Sequence, residues 1–112
     1  MFNKVCIIGC GLIGSSIARA IRKNHLSSKI VSSNRSDSVN KKVIELKIVD
    51  DSSSDTKKMA EGSDLIIIAT PLSSYEDIIS KIKNSLKSGT ILTDVGSVKE
   101  NVINLIEKDV PA

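Results

Sequence analysis

The sequence predicts an α/β fold, a doubly wound parallel β-sheet with helices on both faces. Three observations predict it. Short runs rich in β-branched residues alternate with segments whose apolar residues recur at helical spacing. Two of the runs, at residues 5–8 and 65–69, are apolar without alternation, which is typical of strands buried on both faces. A glycine-rich turn at residues 9–14 joins the first run to the first helical segment.

The first half of the chain is predicted to form two strand–helix units and a short third strand. The predicted elements are β1 at 4–9, α1 at 12–24, β2 at 29–33, α2 at 37–47 and a weak β3 near 48–50. The strands are indicated by short β-branched runs, and the helices by apolar residues three or four positions apart. These residues are Ile13, Ile17 and Ile21 in α1, and Val39, Val43 and Leu46 in α2.

The second half is predicted to continue the alternation after a Ser- and Asp-rich loop at 50–55. The predicted elements are α3 at about 55–61, β4 at 65–69, α4 at 74–87, β5 at 90–94 and α5 at 98–108. The apolar stripes are Ile78, Ile79, Ile82 and Leu86 in α4, and Val98, Val102, Leu105 and Ile106 in α5. Ser73 and Glu76 have the spacing of a capping box at the start of α4. Ser97 and Glu100 have the same spacing at α5.

Composition narrows the function classes. A chain of 112 residues, 40% of them hydrophobic, fits one packed domain. The net charge of +3 is mild, and two aromatic residues, Phe2 and Tyr75, form no stacking platform for nucleic acid. The longest apolar run, at 65–69, is far shorter than the ~20 residues of a membrane span, and no signal-peptide pattern is visible. Cys6 and Cys10 fit neither a disulfide framework nor a metal pair and are expected to be small buried hydrophobes. We therefore expect a cytoplasmic protein without a metal site and without a nucleic-acid or membrane partner.

Residues 9–14 read Gly-Cys-Gly-Leu-Ile-Gly, the G-x-G-x-x-G pattern, between a predicted strand and a predicted helix. Gly9 permits the tight turn, Gly11 lets a pyrophosphate approach the backbone, and Gly14 lets α1 pack closely on the sheet. Phosphate oxygens would meet free N–H groups and the positive end of the helix dipole, at Leu12 and Ile13. The pattern predicts a Rossmann domain with strand order 3-2-1-4-5 that binds a dinucleotide. The alternative is a turn that binds nothing.

The end of β2 bears on the choice between NAD and NADP. An NAD site usually has Asp or Glu about 20 residues after the glycine loop, where it binds the ribose 2′-hydroxyl. Here the chain has Asn34, Arg35 and Ser36, and no acid. An arginine binds a 2′-phosphate well, so the sequence favours NADP over NAD. Another interpretation is that Ser36 or Asp37 caps α2 and Arg35 is a solvated surface residue. The two interpretations are compatible, because a cap and a phosphate contact occupy the same place.

Ligands of such sheets bind beyond the carboxyl ends of the strands, so the residues after β4 and β5 are candidates. Ala69, Thr70 and Pro71 are expected to line the ribose and nicotinamide. Ser97, after β5, could donate a hydrogen bond to a substrate. In both places a turn and a helix cap alone would also explain the residues.

Three segments resemble the prephenate/arogenate (cyclohexadienyl) dehydrogenase family. They are residues 9–20, the Ala-Thr-Pro at 69–71 and, most specifically, Asp-Val-Gly-Ser-Val-Lys at 94–99. The resemblance covers essentially the whole chain as that family's N-terminal coenzyme domain. It implies oxidative decarboxylation of prephenate to 4-hydroxyphenylpyruvate, or of arogenate to tyrosine, with hydride transfer to NAD(P)+. It also implies that Ser97 helps position the substrate or the catalytic histidine.

The resemblance further implies parts that the chain does not contain. The family's catalytic His lies in a His-Pro segment beyond α5, and its helical second domain forms the dimer and closes the substrate pocket. We therefore expect a truncated single domain, 1–112, that holds a coenzyme but is inactive by itself. The one histidine, His25, is expected at the surface after α1. Two alternatives stay open: another NADP-dependent oxidoreductase, of the pyrroline-5-carboxylate reductase or 3-hydroxyacid dehydrogenase type, and a non-catalytic nucleotide-binding module.

Overall fold

The computed structural model describes residues 2–9, 11–70 and 75–94. Within these ranges, five parallel strands form one sheet in the order β3-β2-β1-β4-β5, as predicted. The elements are β1 Phe2–Ile8, α1 Leu12–Lys23, β2 Ser27–Ser33, α2 Asp37–Glu45, β3 Asp51–Ser53, α3 Thr56–Ala60, β4 Leu65–Ile68, α4 Tyr75–Ile82 and β5 Ile91–Asp94. The predicted α5, at 98–108, lies outside the described residues.

The two central strands, β1 and β4, divide their side chains between two apolar clusters. Val5 and Ile7 of β1 pack with α1 and α2 on one face, whereas Cys6 and Ile8 pack with α3 and α4 on the other. Residues 65–68 of β4 alternate in the same way. Successive side chains of a strand point to opposite faces, so a strand covered on both sides is apolar at every position. The observed core therefore explains the two unbroken apolar runs and confirms the doubly wound arrangement.

The position predicted for β3 is wrong. Ile48 and Val49 are buried, but they pack into the cluster beneath α1 and α2 and are not part of a strand. Lys47 has a φ of +57°, which turns the chain after α2 and directs both apolar side chains inward. The ladder with β2 begins three residues beyond the predicted start, where Asp51 pairs with Val31. Part of the segment predicted as a loop is thus the edge strand.

The predicted extent of α4 is also wrong. Residues 83–87 are not helical, because the Ser85 N–H donates to the Ile82 carbonyl over 2.8 Å and the chain turns toward β5. Leu86 is 37% exposed, so its burial adds little that would extend the helix. Other members of the predicted stripes are exposed as well, because they lie at helix ends or at the margin of the face that meets the sheet: Ile13, Val39, Leu46 and Ile79.

At the amino end of the sheet, the carboxylate of Asp64 joins three segments. One oxygen accepts from the backbone N–H groups of Asn3 (2.6 Å) and Lys4 (3.0 Å), and the other pairs with the ammonium of Lys87. The hydrogen bond from Lys87, followed by those from the two backbone amides, lowers the pKa of Asp64 to about 2. This carboxylate fixes the start of β1 to the start of β4 and to the turn before β5.

Candidate dinucleotide-binding site

The candidate site lies at the carboxyl ends of β1 and β4, where the strand order reverses. Gly9 leaves β1 with a φ of +87°, a conformation that L side chains rarely adopt. Its N–H donates to the Ser33 carbonyl over 2.8 Å, which holds the turn against the end of β2. A Cβ on Gly9 would lie 2.6 Å from Cγ2 of Thr70. The turn therefore requires glycine for its backbone conformation and for its approach to the end of β4.

Gly11 and Gly14 have opposite surroundings. A Cβ on Gly14 would lie 2.7 Å from the Gly9 carbonyl oxygen and 3.3 Å from Cγ2 of Ile7, so this glycine brings α1 close to β1. A Cβ on Gly11 would meet nothing within 4 Å. Gly11 is also the N-cap of α1, with no side-chain cap and no acidic residue in the first helical turn. The amide dipoles of this helix end face open space beside Gly11, an arrangement that favours an anion.

A cleft of about 440 Å³ extends from this turn toward the ends of β2 and α4. Its volume is in the range of small-molecule sites. Of the residues that the structure describes, the charged ones around it are Arg35, Asp77 and Lys81, and Lys81 pairs with Asp77 over 3.3 Å. With two cations and one anion, the lining favours a negatively charged ligand. Among the described residues, the lining is Ile8, Gly9, Ser33, Asn34, Arg35, Ser54, Thr56, Thr70, Asp77, Ile78 and Lys81.

The three residues predicted to contact the adenosine ribose have different surroundings. Arg35 is exposed and lines the cleft. Ser36 is the N-cap of α2 and accepts from the Val39 N–H over 3.4 Å, so the capping interpretation is confirmed. Asn34 lines the cleft, but its side-chain amide is turned toward the interior and donates to Oδ1 of Asn40 over 3.0 Å. Asn40 lies within the predicted α2, but no motif in the sequence marks it as a functional residue.

At the end of β4, the described residues include two of the three candidates. The N–H of Ala69 donates to the Ile8 carbonyl over 2.8 Å, which extends the β1–β4 ladder to the site. The hydroxyl oxygen of Thr70 is buried and has no hydrogen-bond partner within the described ranges. Such a buried hydroxyl is costly unless something binds it. Pro71, Ser97, Cys10 and both predicted capping boxes lie wholly or partly outside the described residues.

Neither Cys6 nor His25 is a reactive group at the site. Cys6 is fully buried, and burial raises the pKa of its thiol to about 12, so it stays protonated and unreactive. His25 is exposed in the turn after α1, two residues before β2 begins, which is the amino end of the sheet. Both predictions, a buried cysteine and a surface histidine, are confirmed.

The sequence matches a known family over most of its length. A family model described as the nucleotide-binding domain of prephenate dehydrogenase matches residues 17–112. The chain belongs to this family. The resemblance found in the sequence is therefore confirmed, and the match favours it over the two alternatives. The described part of the chain has no helix long and apolar enough to cross a membrane.

Among curated proteins, the domain is 38% identical to prephenate dehydrogenase from Lactococcus lactis over 104 residues, or 92% of this chain and 29% of that protein. Among solved structures, arogenate dehydrogenase from Synechocystis has a TM-score of 0.74 at 26% identity, over 81% of this chain and 32% of that one. Prephenate dehydrogenase from A. aeolicus, in complex with hydroxyphenyl propionate and NAD+, shares the fold with a TM-score of 0.77 at 20% identity, over 92% of this chain and 39% of that one. The chain spans about a third of the length of the curated relatives it matches.

Proposed function

We propose that this chain is the coenzyme-binding part of a dehydrogenase of tyrosine biosynthesis, which acts on prephenate or arogenate in the cytoplasm. The observation that carries the proposal is the family match over residues 17–112. In the whole protein, the reaction is oxidative decarboxylation of the substrate with hydride transfer to NAD(P)+. Residues 1–112 form the coenzyme domain. The resemblance to the family implies that the general base, the helical dimer-forming domain and most of the substrate pocket lie outside this coenzyme domain.

The glycine turn fits the pyrophosphate of a dinucleotide. Open space beside Gly11 and the uncapped start of α1 support this position, and the backbone N–H groups of Leu12 and Ile13 would face the phosphate oxygens. Gly9 and Gly14 act indirectly, because they hold the turn and the helix in place. The chemistry that NAD(P)+ supplies when bound is the acceptance of a hydride.

The end of β2 favours NADP over NAD. Arg35 lines the cleft beside Asn34, and Lys81 adds a second cation on the facing helix. No carboxylate occupies positions 34–36, so nothing there would repel a 2′-phosphate. Ser36 caps α2 through its hydroxyl oxygen, which also lies 2.8 Å from the Ser38 hydroxyl. If Ser38 is the donor of that pair, the Ser36 proton is free to donate to an anion.

The residues after β4 and β5 face the reactive end in this proposal. The hydroxyl of Thr70 is buried and has no hydrogen-bond partner among the described residues, which supports a contact with the ribose or nicotinamide. Ala69 and Pro71 flank it in the sequence. Ser97, the proposed catalytic-site residue of this chain, would position the substrate or the base. These residues bind and orient, and they move no proton.

A titration with the two reduced coenzymes tests the proposal. The intrinsic fluorescence of NADPH and NADH should rise on binding to the 112-residue chain at fixed ionic strength. We expect weak binding, with NADPH bound about tenfold more tightly than NADH, and no turnover of prephenate by the chain alone. If neither coenzyme binds, the coenzyme role is wrong. Equal affinities, or tighter NADH, would contradict the NADP preference alone.

A further inference from the structure

A buried cluster of polar side chains lies behind the turn at 34–36. Ser32 is fully buried, Asn40 is 4% exposed and Ser52 is 9% exposed. They come from β2, α2 and β3, and their neighbours in the core on this side of the sheet are apolar, including Val43. Burying so many polar groups is unfavourable unless every one is hydrogen-bonded. The cluster therefore needs a specific network.

The network centres on Asn40. Its side-chain Nδ2 donates to the backbone carbonyl of Asn34 over 3.0 Å, and its Oδ1 accepts from the Asn34 Nδ2 over 3.0 Å. The Ser52 hydroxyl donates to the same Oδ1 over 2.5 Å, and it lies 2.6 Å from the Ser32 hydroxyl. Asn40 thus holds both the main chain and the side chain of residue 34.

The network and the cleft meet at a single residue. Asn34 and Arg35 line the cleft, but Ser32, Asn40 and Ser52 do not. The network therefore fixes the backbone from which the Arg35 side chain extends, while Ser32, Asn40 and Ser52 contribute no surface to the cleft. A turn that is ordered before a ligand arrives loses less conformational entropy on binding.

We infer that Asn40, supported by Ser52, is a positioning residue that fixes the 34–36 turn and thereby sets the preference for the 2′-phosphorylated coenzyme. This inference rests on the proposed coenzyme role. It also means that an acid at position 34 is incompatible with the present network. A carboxylate there would face the Asn40 Oδ1, which is another acceptor, at the site of the present 3.0 Å hydrogen bond.

Three variants test the inference. Asn40→Ala removes the network centre, and Ser52→Ala removes one supporting bond. Asn40→Asp is conservative: its ionised carboxylate loses the donor to the Asn34 carbonyl, but its protonated form has one donor and one acceptor as asparagine does. Val43→Ala, on the core face of the same helix, is the matched control for lost stability.

The first readout needs no coenzyme. Backbone ¹⁵N order parameters of residues 34–36 in the free chain should fall from about 0.85 to below about 0.6 in Asn40→Ala, fall less in Ser52→Ala, and stay unchanged in Val43→Ala. The second readout is calorimetric titration with NADP+ and NAD+. The ratio of the two affinities should fall about fivefold to tenfold in Asn40→Ala and stay within twofold of wild type in Val43→Ala. In Asn40→Asp, compared with wild type at each pH, the ratio should be low at pH 8 and recover as the pH falls toward 4, because burial and the facing Asn34 carbonyl oxygen raise the pKa of the new carboxyl above its ordinary value of about 3.9.

Each result either supports or contradicts the inference. If wild type binds neither coenzyme, the proposed function is wrong, and this inference, which depends on it, is wrong as well. If wild type binds and Asn40→Ala keeps the order parameters and the affinity ratio, only the inference is overturned. Should Asn40→Ala fail to fold, the pH-dependent recovery of Asn40→Asp and the smaller effect of Ser52→Ala decide in the same way. Loss of the ratio in Val43→Ala as well would also overturn it.

Discussion

Alanine substitutions at Gly11 and Gly14 should separate coenzyme binding from folding, although the two glycines lie three residues apart. At Gly14 the new Cβ would lie 2.7 Å from the Gly9 carbonyl oxygen, a backbone atom that no rotamer change can move. Overpacking of this kind costs ~1–3 kcal/mol, and a backbone contact this short belongs in the upper half of that range. Alanine regains ~1 kcal/mol of helix propensity. We therefore expect the free energy of unfolding to fall by about 1–2 kcal/mol.

At Gly11 the same substitution should leave stability intact. Its φ is −80° in extended backbone, which alanine adopts readily, and the new Cβ meets nothing within 4 Å. Alanine is a poorer N-cap than glycine, and this cost offsets the gain of up to ~1 kcal/mol from the reduced entropy of the unfolded chain, so we expect little net change in the free energy of unfolding. The methyl group would occupy the space through which a pyrophosphate approaches. We expect NADPH affinity to fall at least about tenfold, or ~1.4 kcal/mol.

Urea unfolding followed by circular dichroism measures the stabilities, and NADPH fluorescence measures the affinities. Gly62→Ala is the matched control, because Gly62 has a φ of +74° with open space around it, in the turn between α3 and β4. That variant should lose stability through backbone strain and keep its affinity. A Gly11→Ala chain that binds NADPH like wild type would refute the assignment of the open space to the pyrophosphate. A Gly14→Ala chain as stable as wild type would refute the packing argument.

Four further predictions follow from the charges and the core. Arg35→Ala should lower NADPH affinity about tenfold and change NADH affinity less than twofold in parallel titrations, because only one ligand has the 2′-phosphate; equal losses would argue against this contact. The pKa of Asp64 is about 2 in the folded chain against 3.8 ordinarily, so its stabilisation is complete above about pH 4 and is lost as pH falls toward 2; in acid titrations monitored by circular dichroism, Asp64→Asn should lack this component. In a Cys10→Ser chain, the remaining Cys6 should resist alkylation at pH 8 and react in urea, since burial raises its thiol pKa to about 12; fast native labelling would contradict its burial. Ile82→Ala, at a fully buried position of α4, should cost ~2–5 kcal/mol in urea unfolding, and a loss under 1 kcal/mol would mean that α4 packs loosely.

Sequence periodicity was sufficient where packing follows a simple rule. The strands at 5–8 and 65–68 could be predicted because burial on both faces leaves no polar position, and their partition into two clusters follows from strand geometry. The glycine turn could be predicted because each glycine answers a separate steric demand, and two of those demands are visible at Gly9 and Gly14. The family was recognised from the run at 94–99, which lies outside the described residues.

The position of β3 and the polar network around Asn40 could not be predicted, because both depend on contacts between residues far apart in the sequence. Ile48 and Val49 have the composition of a strand, but the φ of Lys47 turns them into the apolar cluster beneath α2. The true β3 is polar, and Ser52 is compatible with a buried strand only because Asn40 and Ser32 supply its partners. Local patterns show which residues favour burial. They do not show which polar residues meet across 12 or 20 positions of sequence.

The Asp64 carboxylate with its hydrogen-bond partners lies at the amino end of the sheet, and the glycine turn lies at the carboxyl end. A strand of four to seven residues separates them by ~13–23 Å, at about 3.3 Å per residue. This exceeds the ~8–10 Å over which exposed charges interact at physiological salt. Substitutions that change the charge at the amino end of the sheet can therefore raise or lower thermal stability without changing ligand affinity. Stability can thus change through mutations at one end of the domain, and ligand binding through mutations at the other. The free-energy changes of mutations at the two ends should be additive.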